Sequence, residues 1–384
     1  MTRLTDLCTI QGQSPWIDNL RRDYVTQGHL AELVALGVRG VTSNPTIMAK
    51  AIEAESDDGP GSYLDQLRSL GPAMTTDDAY WELVIRDIEG ALDLLAPVHA
   101  ASNGKDGFVS LEVDPQLAHD TPATVTAARA MHERIRRPNL FVKVPATREG
   151  VPAIRELVGE GHNINVTLIF SIERYAEVCE AYIGGLELLA RDPGADLASV
   201  HGVASFFVSR IDTEVDRRIE DLADRGGGAH ARMLDQLRGT AAVAQAKTAY
   251  AHFRRAFSGP RWEALAARGA NVQRPLWAST STKNPAYADL VYVDNLIGPD
   301  TVNTMPDATL EAFLDHGTIA RTVDADADGA QADLDALAQA GVDLADVADT
   351  LEKQGVSSFA TSFTDLLVRL ADQRERLFGT GGTR

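Results

Sequence analysis

The chain has 384 residues and a formal net charge of −19, and 44% of its residues are hydrophobic, so it is long enough for a large core or two domains. The acidic charge argues against a nucleic-acid binder, because such proteins need a positive field to displace counterions. It has two cysteines (Cys8 and Cys179), no histidine in a zinc-binding motif, and no apolar run near the roughly 20 residues that span a bilayer. We therefore expect a cytoplasmic protein without a metal, a nucleic-acid partner or a membrane partner.

Short apolar runs recur along the chain and are separated by segments with helical periodicity, such as Asp77 to Leu95. This alternation predicts a parallel sheet with helices around it, and eight runs favour a closed (β/α)8 TIM barrel over an open doubly wound sheet. No Gly-x-Gly-x-x-Gly follows the first run, which argues against a dinucleotide-binding fold. The predicted strands are residues 14–20, 38–44, 108–113, 140–145, 164–170, 200–208, 274–280 and 289–297.

The whole chain, residues 1–384, is predicted to form a single α/β barrel domain. Residues 46–76 and 210–273 are longer than a minimal crossover, so we expect helical insertions there. From about residue 300 we expect a helical extension, with short amphipathic helices in the acidic segment 324–349 and a final helix from about Ser357. That helix would bury one apolar face, formed by Phe359, Phe363, Leu366, Leu367 and Leu370.

Lys143 stands inside the fourth run, Leu140 to Thr147, which is otherwise largely apolar. Lysine is rarely buried without a partner, and an apolar site lowers the pKa of a lysine from about 10.4 toward the range where the neutral amine attacks a carbonyl. Schiff-base catalysis depends on this property. The alternative is a structural lysine whose stem packs in the core while its head group reaches a carboxylate or solvent.

Most of the predicted strands carry polar residues near their C-terminal ends, where TIM-barrel enzymes place their reactive groups. Taken singly, these residues have plain structural explanations: Asn44 precedes a proline in a turn signal, Asp18 could cap a helix, and Glu112 could be only the ion-pair partner of Lys143. Taken together they argue for a site, because burying polar groups without a function costs stability. In chain order the polar residues are Asp18, Asn44, Glu112, Lys143, Asn165, Thr167, Ser205, Arg210, Ser279 and Lys283, and the apolar Phe207 lies between Ser205 and Arg210.

The segments that carry these residues resemble transaldolases. The similarity extends over roughly residues 14–300 in strand order, and the residues after 300 resemble the tail of the longer bacterial members of that family. The matching segments are Val-Thr-Ser-Asn-Pro-Thr (41–46), Ser-Leu-Glu-Val-Asp (110–114), Phe-Val-Lys-Val-Pro-Ala-Thr (141–147), Asn-Val-Thr-Leu-Ile-Phe-Ser (165–171), Ser-Phe-Phe-Val-Ser-Arg-Ile-Asp (205–212) and Trp-Ala-Ser-Thr-Ser-Thr-Lys-Asn-Pro (277–285).

The resemblance implies a cofactor-independent enzyme of the pentose phosphate pathway. It would transfer a dihydroxyacetone unit between sugar phosphates, converting sedoheptulose 7-phosphate and glyceraldehyde 3-phosphate to erythrose 4-phosphate and fructose 6-phosphate. Lys143 would form the Schiff base, and Asp18 would take the proton of the C4 hydroxyl. Glu112 and Thr167 would position a water for proton transfers at the imine.

The resemblance also implies a set of substrate-binding groups. Asn44, Asn165 and Ser205 would hold the hydroxyls of the three-carbon fragment, and Arg210 would bind the phosphate. Strand seven departs from family members that carry Ser-x-Arg, because this chain has Ser279-Thr280-Ser281 and its nearest cation is Lys283. We therefore assign Lys283 to the phosphate as well, and we expect Phe207 and Ser279 to line the same pocket.

Two alternatives stay open at this point. One is a Schiff-base fructose-6-phosphate aldolase that releases free dihydroxyacetone, which few residues around the imine would distinguish from a transferase. The other is a non-catalytic barrel that binds sugar phosphates, but this function needs only the phosphate-binding cations and leaves Lys143, Glu112 and Asp18 unexplained. The composition is compatible with a monomer or a homodimer.

Overall fold

The computed structural model describes residues 2–54, 59–225 and 228–379. Its strands are β1 (Gln13–Ile17), β2 (Gly40–Thr42), β3 (Phe108–Glu112), β4 (Leu140–Pro145), β5 (Ile164–Ile169), β6 (Gly202–Phe207), β7 (Gln273–Ala278) and β8 (Thr301–Met305). They form a closed barrel in chain order, and β8 pairs with β1 in parallel along its whole length. This confirms the predicted (β/α)8 TIM barrel.

Helices connect the strands and continue after the last one. Local sequence explains several helix starts, since side chains of residues such as Thr75 accept hydrogen bonds from the first backbone N–H groups. The helices are α1 (Arg3–Gln11), α2 (Arg22–Thr26), α3 (His29–Leu36), α4 (Pro45–Ala54), α5 (Tyr63–Leu70), α6 (Thr76–Ala101), α7 (Thr121–Ile135), α8 (Gly150–Gly159), α9 (Ile172–Leu189), α10 (Ser209–Arg225), α11 (Gly228–Asp235), α12 (Ala241–Ala256), α13 (Gly259–Ala266), α14 (Val291–Asp294), α15 (Asp307–His316), α16 (Ala327–Gln339) and α17 (Leu344–Phe378).

Both predicted insertions are helical where they are described. Residues 46–76 contain most of α4 and all of α5, and residues 210–273 contain α11, α12 and α13 together with most of α10. Residues 55–58 and 226–227, which belong to these segments, lie outside the described part of the chain. The single-domain organisation stays a prediction.

The predicted eighth strand, residues 289–297, is wrong, because this stretch contains α14 and adjoining turns. The true β8 has the sequence Thr-Val-Asn-Thr-Met and is polar for a buried strand. Most of its polar side-chain groups form hydrogen bonds across the fold: Gln13 Nε2 donates to Thr301 Oγ1 over 2.9 Å, and Thr280 Oγ1 donates to Asn303 Oδ1 over 3.0 Å. Asn303 Nδ2 has no partner among the described residues. Buried polar groups are tolerated when they are hydrogen-bonded, so hydropathy alone does not reveal this strand.

The helical extension begins at Asp307, and not at about residue 300, because β8 still belongs to the barrel. The amphipathic helices predicted in the acidic segment are present as α16 and the start of α17. The final helix begins at Leu344, before the predicted start at Ser357, and Asp343 caps it by accepting hydrogen bonds from two backbone N–H groups. Its predicted apolar face is buried at Phe359, Phe363, Leu366 and Leu370 and partly buried at Leu367.

Aromatic rings fill the barrel on the N-terminal side of Lys143. Trp16, Phe108 and Phe141 come from three different strands, and their ring centroids lie between 4.2 and 6.5 Å apart. Gly40 makes room for them, since a β-carbon at this position would lie 2.4 Å from the Trp16 ring. We call these three rings the aromatic floor, because they lie below the polar residues at the C-terminal end of the barrel.

Candidate active site

Polar side chains from three neighbouring strands lie side by side inside the barrel. Glu112 of β3 is in register with Lys143 of β4, which is in register with Asn165 of β5. The three residues are 6%, 4% and 0% exposed, respectively. Parallel pairing therefore brings a carboxylate, an ammonium and an amide together at one level of the barrel.

Lys143 and Glu112 form a buried ion pair, with Lys143 Nζ 2.9 Å from Glu112 Oε2. The same ammonium donates a hydrogen bond of 2.9 Å to the backbone carbonyl of Ser43. Burial raises the pKa of Glu112, the nearby Lys143 charge opposes that rise, and Asp18 adds to it. The pair therefore joins a potential nucleophile to a carboxyl group that burial makes a better proton acceptor.

Thr167 lies two residues after Asn165 on β5 and faces the same interior. The residue is fully buried, and its hydroxyl has no hydrogen-bond partner among the described residues. A buried hydroxyl without a partner is costly in a core, so its retention favours a role in binding something else.

Asp18 follows β1 and is anchored through its backbone N–H, which donates to the carbonyl of Met305 over 2.8 Å. Burial raises the pKa of its carboxyl group. The hydrogen bond from Thr42 Oγ1, 2.6 Å long, lowers this pKa, and the charges of Lys143 and Arg210 act in the same direction. Asp18 thus belongs to the same electrostatic site as the buried ion pair.

Asn165 connects two hydroxyl groups within the site. Its Nδ2 donates to Ser110 Oγ over 2.9 Å, and its Oδ1 accepts from Ser205 Oγ over 2.8 Å. This chain of hydrogen bonds crosses from β3 through β5 to β6 and fixes the orientation of the amide. Two of its members, Asn165 and Ser205, are residues that the sequence singled out.

Asn44, for which the sequence offered a turn as the structural alternative, caps a helix. Its Oδ1 accepts a hydrogen bond of 3.0 Å from the backbone N–H of Ile47 at the start of α4. Its amide nitrogen forms no hydrogen bond within the described chain. The residue therefore caps a helix with one end of its side chain and leaves a donor available at the other.

Arg210 is placed for anion binding. It is the second residue of α10, so it lies at a helix N-terminus, and its guanidinium is 5.3 Å from the centre of the Phe207 ring. Among the described residues no carboxylate pairs with it; burial lowers its pKa, and Asp18 opposes that effect. An unpaired guanidinium at the positive end of a helix is suited to a phosphate.

The loop after β7 brings a second cation to this position. Ser279 adopts a left-handed backbone with φ of 56°, and its Oγ lies 3.0 Å from Ser209 Oγ at the start of α10. Lys283 is exposed and donates to Ser281 Oγ over 2.5 Å. Partial desolvation of its ammonium by the surrounding protein lowers the pKa of Lys283, and so do the charges of Arg210 and of Lys50 in α4. The sequence analysis missed Lys50, which follows β2 by two turns of helix.

Sequence comparison with known proteins identifies the family to which this chain belongs. A sequence profile of the family described as "Transaldolase/Fructose-6-phosphate aldolase" matches residues 15–370. The chain belongs to this family. The transaldolase of Acidothermus cellulolyticus is 49% identical over 368 residues, which are 95% of each chain. The transaldolase of Thermobifida fusca is 50% identical over 365 residues, 94% of this chain and 96% of that protein, and transaldolase 2 of Streptomyces coelicolor is 46% identical over 386 residues, 100% and 99%.

In this transaldolase-family chain the structure adds Thr42, Ser110 and Thr304 to the site residues. Thr42 and Ser110 lie two positions before Asn44 and Glu112, so strand alternation was a usable signal for both. Thr304, whose hydroxyl is 2.7 Å from that of Thr42, could not be found because β8 was misplaced.

The described residues contain no group of three or more histidine, cysteine, aspartate or glutamate side chains placed to hold a metal ion. Within the same residues, none of the helices combines the length and the apolar character that a membrane crossing requires.

Proposed function

We propose that this chain is a transaldolase that transfers a dihydroxyacetone unit from a ketose phosphate to an aldose phosphate through an imine on Lys143. The observation that carries the proposal is the buried pair of Lys143 and Glu112, 2.9 Å apart, in the same electrostatic site as Asp18. Sedoheptulose 7-phosphate as donor and glyceraldehyde 3-phosphate as acceptor would give erythrose 4-phosphate and fructose 6-phosphate.

Imine formation requires Lys143 to lose a proton before its Nζ attacks the C2 carbonyl of the donor. Glu112 is the adjacent acceptor, and burial raises the pKa of this carboxyl group and so favours its protonated form. The carbinolamine then loses its oxygen as water. We assign the unpartnered hydroxyl of Thr167, with Glu112, to holding this water, which later returns to hydrolyse the imine.

Cleavage uses the protonated imine as an electron acceptor. Asp18 takes the proton of the C4 hydroxyl, the C3–C4 bond breaks, and its electron pair forms the enamine while the aldose phosphate leaves. In the second half, C3 of the enamine attacks the aldehyde of the acceptor, and Asp18 returns its proton to the new C4 oxygen. Burial raises the pKa of Asp18, which brings it closer to the range suited to both transfers.

The three-carbon fragment must stay bound until the acceptor arrives. Asn165 and Ser205, already joined by a hydrogen bond of 2.8 Å, and the free amide nitrogen of Asn44 are the groups we assign to its hydroxyls. Phe207 contributes a buried apolar surface beside them. Preorganised polar groups of this kind bind the fragment without a reorganisation cost at the time of reaction.

The phosphate of the donor and of the acceptor would bind at Arg210 and the N-terminus of α10. Lys283 adds a second charge from the β7 loop, and Ser279 ties that loop to α10 through Ser209. On a chain with a net charge of −19, a local cationic site is required for an anionic sugar, because the overall field repels it.

The test is borohydride reduction in the presence of fructose 6-phosphate, followed by mass mapping of peptides. We expect a reduced three-carbon adduct on Lys143 and none in Lys143→Ala. Lys105→Ala is the control, since this exposed lysine precedes β3 at the opposite end of the barrel and its removal should leave labelling of Lys143 in place. An adduct on another lysine in the unaltered chain would overturn the assignment.

Transfer is distinguished from simple aldol cleavage by an assay with the donor alone. The family description covers both activities, whereas the curated relatives named above are transaldolases. We expect little free dihydroxyacetone from fructose 6-phosphate until an aldose phosphate is added. Steady release at the rate of transfer would make the chain an aldolase.

A further inference from the structure

The C-terminal end of β5 contains a β-bulge. Val166 pairs with Ala204 of β6, whereas Ile169 pairs with Phe206, so β5 has one more residue than β6 between these two pairs. Leu168 lies in this interval with φ of 60°, a left-handed conformation that leucine rarely adopts. Such conformations persist where the surrounding structure holds them, and they concentrate at functional sites.

The bulge controls the orientation of Thr167. This residue precedes Leu168 directly, and its carbonyl accepts a hydrogen bond of 2.7 Å from the backbone N–H of Ala146. Its hydroxyl has no partner among the described residues that would fix its direction. The backbone at the bulge therefore fixes the direction of the Cα–Cβ bond that carries the hydroxyl.

The C-terminal helix α17 packs closely against the bulge at Gly355. A β-carbon at this position would lie 2.9 Å from Leu168 Cδ2 and 3.5 Å from its Cδ1. Leu168 is 1% exposed, so a shift of its side chain would also displace the residues packed around it. Glycine in a helix interior is unfavourable, and close approach of another chain segment is the usual reason for it.

Two further contacts fix α17 over this end of the barrel. The hydroxyls of Thr46 and Ser362 lie 2.8 Å apart, which joins the helix to α4. Phe363 packs edge-on against Tyr80, with ring centroids 5.1 Å apart. The helix is therefore held at a defined distance from β5 by contacts outside the bulge.

We propose that Gly355 is a positioning residue for Thr167: by admitting Leu168 against the backbone of α17, it holds the β5 bulge that aims the Thr167 hydroxyl at the imine. The inference rests on the proposed function of Thr167 in imine chemistry. It makes the C-terminal helix part of the catalytic architecture, although none of the catalytic residues assigned above lies on that helix.

Gly355→Ala tests this inference, because alanine favours the helix while its β-carbon displaces Leu168. We expect the melting temperature to be unchanged or higher and imine formation with fructose 6-phosphate to slow by about 10-fold, since displacements near 1 Å are enough for such losses. The rate is measured by borohydride trapping in single turnovers, and the donor KM should stay within about 2-fold, because the phosphate and hydroxyl sites are untouched.

Two controls separate positioning from general packing. Ser358→Ala lies on the exposed side of the same helix and should alter neither the rate nor the KM. Leu168→Ala removes the atoms that meet the new methyl group, so Gly355→Ala combined with Leu168→Ala should recover most of the rate lost in Gly355→Ala. A slowing that Leu168→Ala does not relieve, or an unchanged rate in Gly355→Ala, would overturn the inference.

Comparison of Thr167→Ala with Gly355→Ala distinguishes a failure of this inference from a failure of the proposed function. Thr167→Ala serves as the reference and should slow the same step more strongly than Gly355→Ala. If the unaltered chain is not labelled at Lys143, or if Thr167→Ala forms the imine at the normal rate, the proposed function fails and the inference falls with it. Normal labelling, a slow Thr167→Ala and an unaffected Gly355→Ala would reject the role of Gly355 alone.

Discussion

Thr42 donates a hydrogen bond of 2.6 Å to Asp18, and the same hydroxyl lies 2.7 Å from that of Thr304. Two threonines therefore connect the carboxyl group at the end of β1 to both neighbouring strands. Donation to a carboxylate favours its ionised form, so this contact opposes the rise in the pKa of Asp18 that burial causes.

Thr42→Val should shift the acidic limb of the cleavage rate to higher pH. Without the hydrogen bond the pKa of Asp18 rises further, and the carboxyl group must be ionised to accept the C4 hydroxyl proton. A shift of about one pH unit corresponds to the usual strength of a hydrogen bond to a charged group. The pH profile of donor cleavage measures it, with Thr126→Val on the exposed side of α7 as control; an unmoved limb would exclude Thr42 from tuning Asp18.

Asp18→Ala should form the covalent adduct with the donor and then stall before the C3–C4 bond breaks. The substitution leaves Lys143 and Glu112, which are 2.9 Å apart in the unaltered chain, so imine formation should continue while the base for cleavage is missing. Adduct should accumulate, as measured by borohydride trapping at successive times. Parallel loss of adduct and turnover would show that Asp18 is not a dedicated base for the C4 hydroxyl.

Lys143→Met should lose stability relative to the unaltered chain as pH rises above about 4.3, the ordinary pKa of glutamate. Burial already raises the pKa of Glu112 in the folded state, and removing Lys143 raises it further. A carboxyl group with a raised folded-state pKa favours folding when protonated, so its contribution is present at low pH and is lost as pH increases. Thermal denaturation at pH 4 and pH 8 measures the difference.

The control for this pH dependence is Lys143→Met combined with Glu112→Gln. It removes both charges, so the extra loss of stability at pH 8 should disappear. A pH dependence that persists in the double variant would have to come from other groups.

Arg210→Ala should weaken binding of phosphorylated donors by about 1.5–3 kcal/mol, the value of a hydrogen bond to a charged group. Reaction with unphosphorylated fructose or dihydroxyacetone should change little. Steady-state kinetics with both kinds of donor measure the difference. Arg217→Ala is the matched control, because Arg217 lies on the same helix but pairs with Glu214 and Asp221. Equal losses for both kinds of donor would assign Arg210 a structural role at the barrel mouth.

Lys283→Ala should weaken the same phosphorylated donors, but less than Arg210→Ala does. A lysine binds phosphate as a point charge on a flexible stem, and Lys283 is more exposed than Arg210, so solvent screens it more strongly. Competition by inorganic phosphate gives an independent measure of both sites. A larger effect for Lys283 than for Arg210 would reverse the assignment of the principal phosphate ligand.

We propose that the barrel and its C-terminal helices unfold as one domain. Contacts of α17 with the barrel support this, including the packing of Phe363 on Tyr80. Calorimetry should show a single transition with equal calorimetric and van't Hoff enthalpies. Phe363→Ala should lower stability by about 3–5 kcal/mol without splitting the transition. Two separate transitions would show that the extension is an independent unit.

Sequence patterns predicted the barrel most accurately where strands are apolar and their polar residues are few. The fourth strand occupies residues 140–145, as its apolar run indicates, and Lys143 stands out within it. The segment 289–297 is equally apolar but is not a strand. Hydropathy reports burial, and burial alone does not distinguish a short helix with adjoining turns from a strand.

Residues whose role depends on distant partners could not be predicted in the same way. Thr304 belongs to the site only because β8 closes the barrel beside β1 and brings it to Thr42. Lys50 lies on α4, its charge acts on Lys283 in the β7 loop, and no local sequence pattern marks it. Asn44, by contrast, was identified from local sequence, both as a turn residue and as a candidate ligand group. In the structure its Oδ1 accepts a hydrogen bond from the backbone of α4, and its amide nitrogen remains available to bind a substrate.

The aromatic floor fixes the depth of the reaction chamber. Trp16, Phe108 and Phe141 are fully buried on the N-terminal side of Lys143, and a β-carbon at Gly40 would lie 2.4 Å from the Trp16 ring. A longer substrate must therefore extend outward through the mouth, where Arg210 and the β7 loop lie. Libraries built to broaden the acceptor range should keep these four positions constant and vary the loops at the opposite rim.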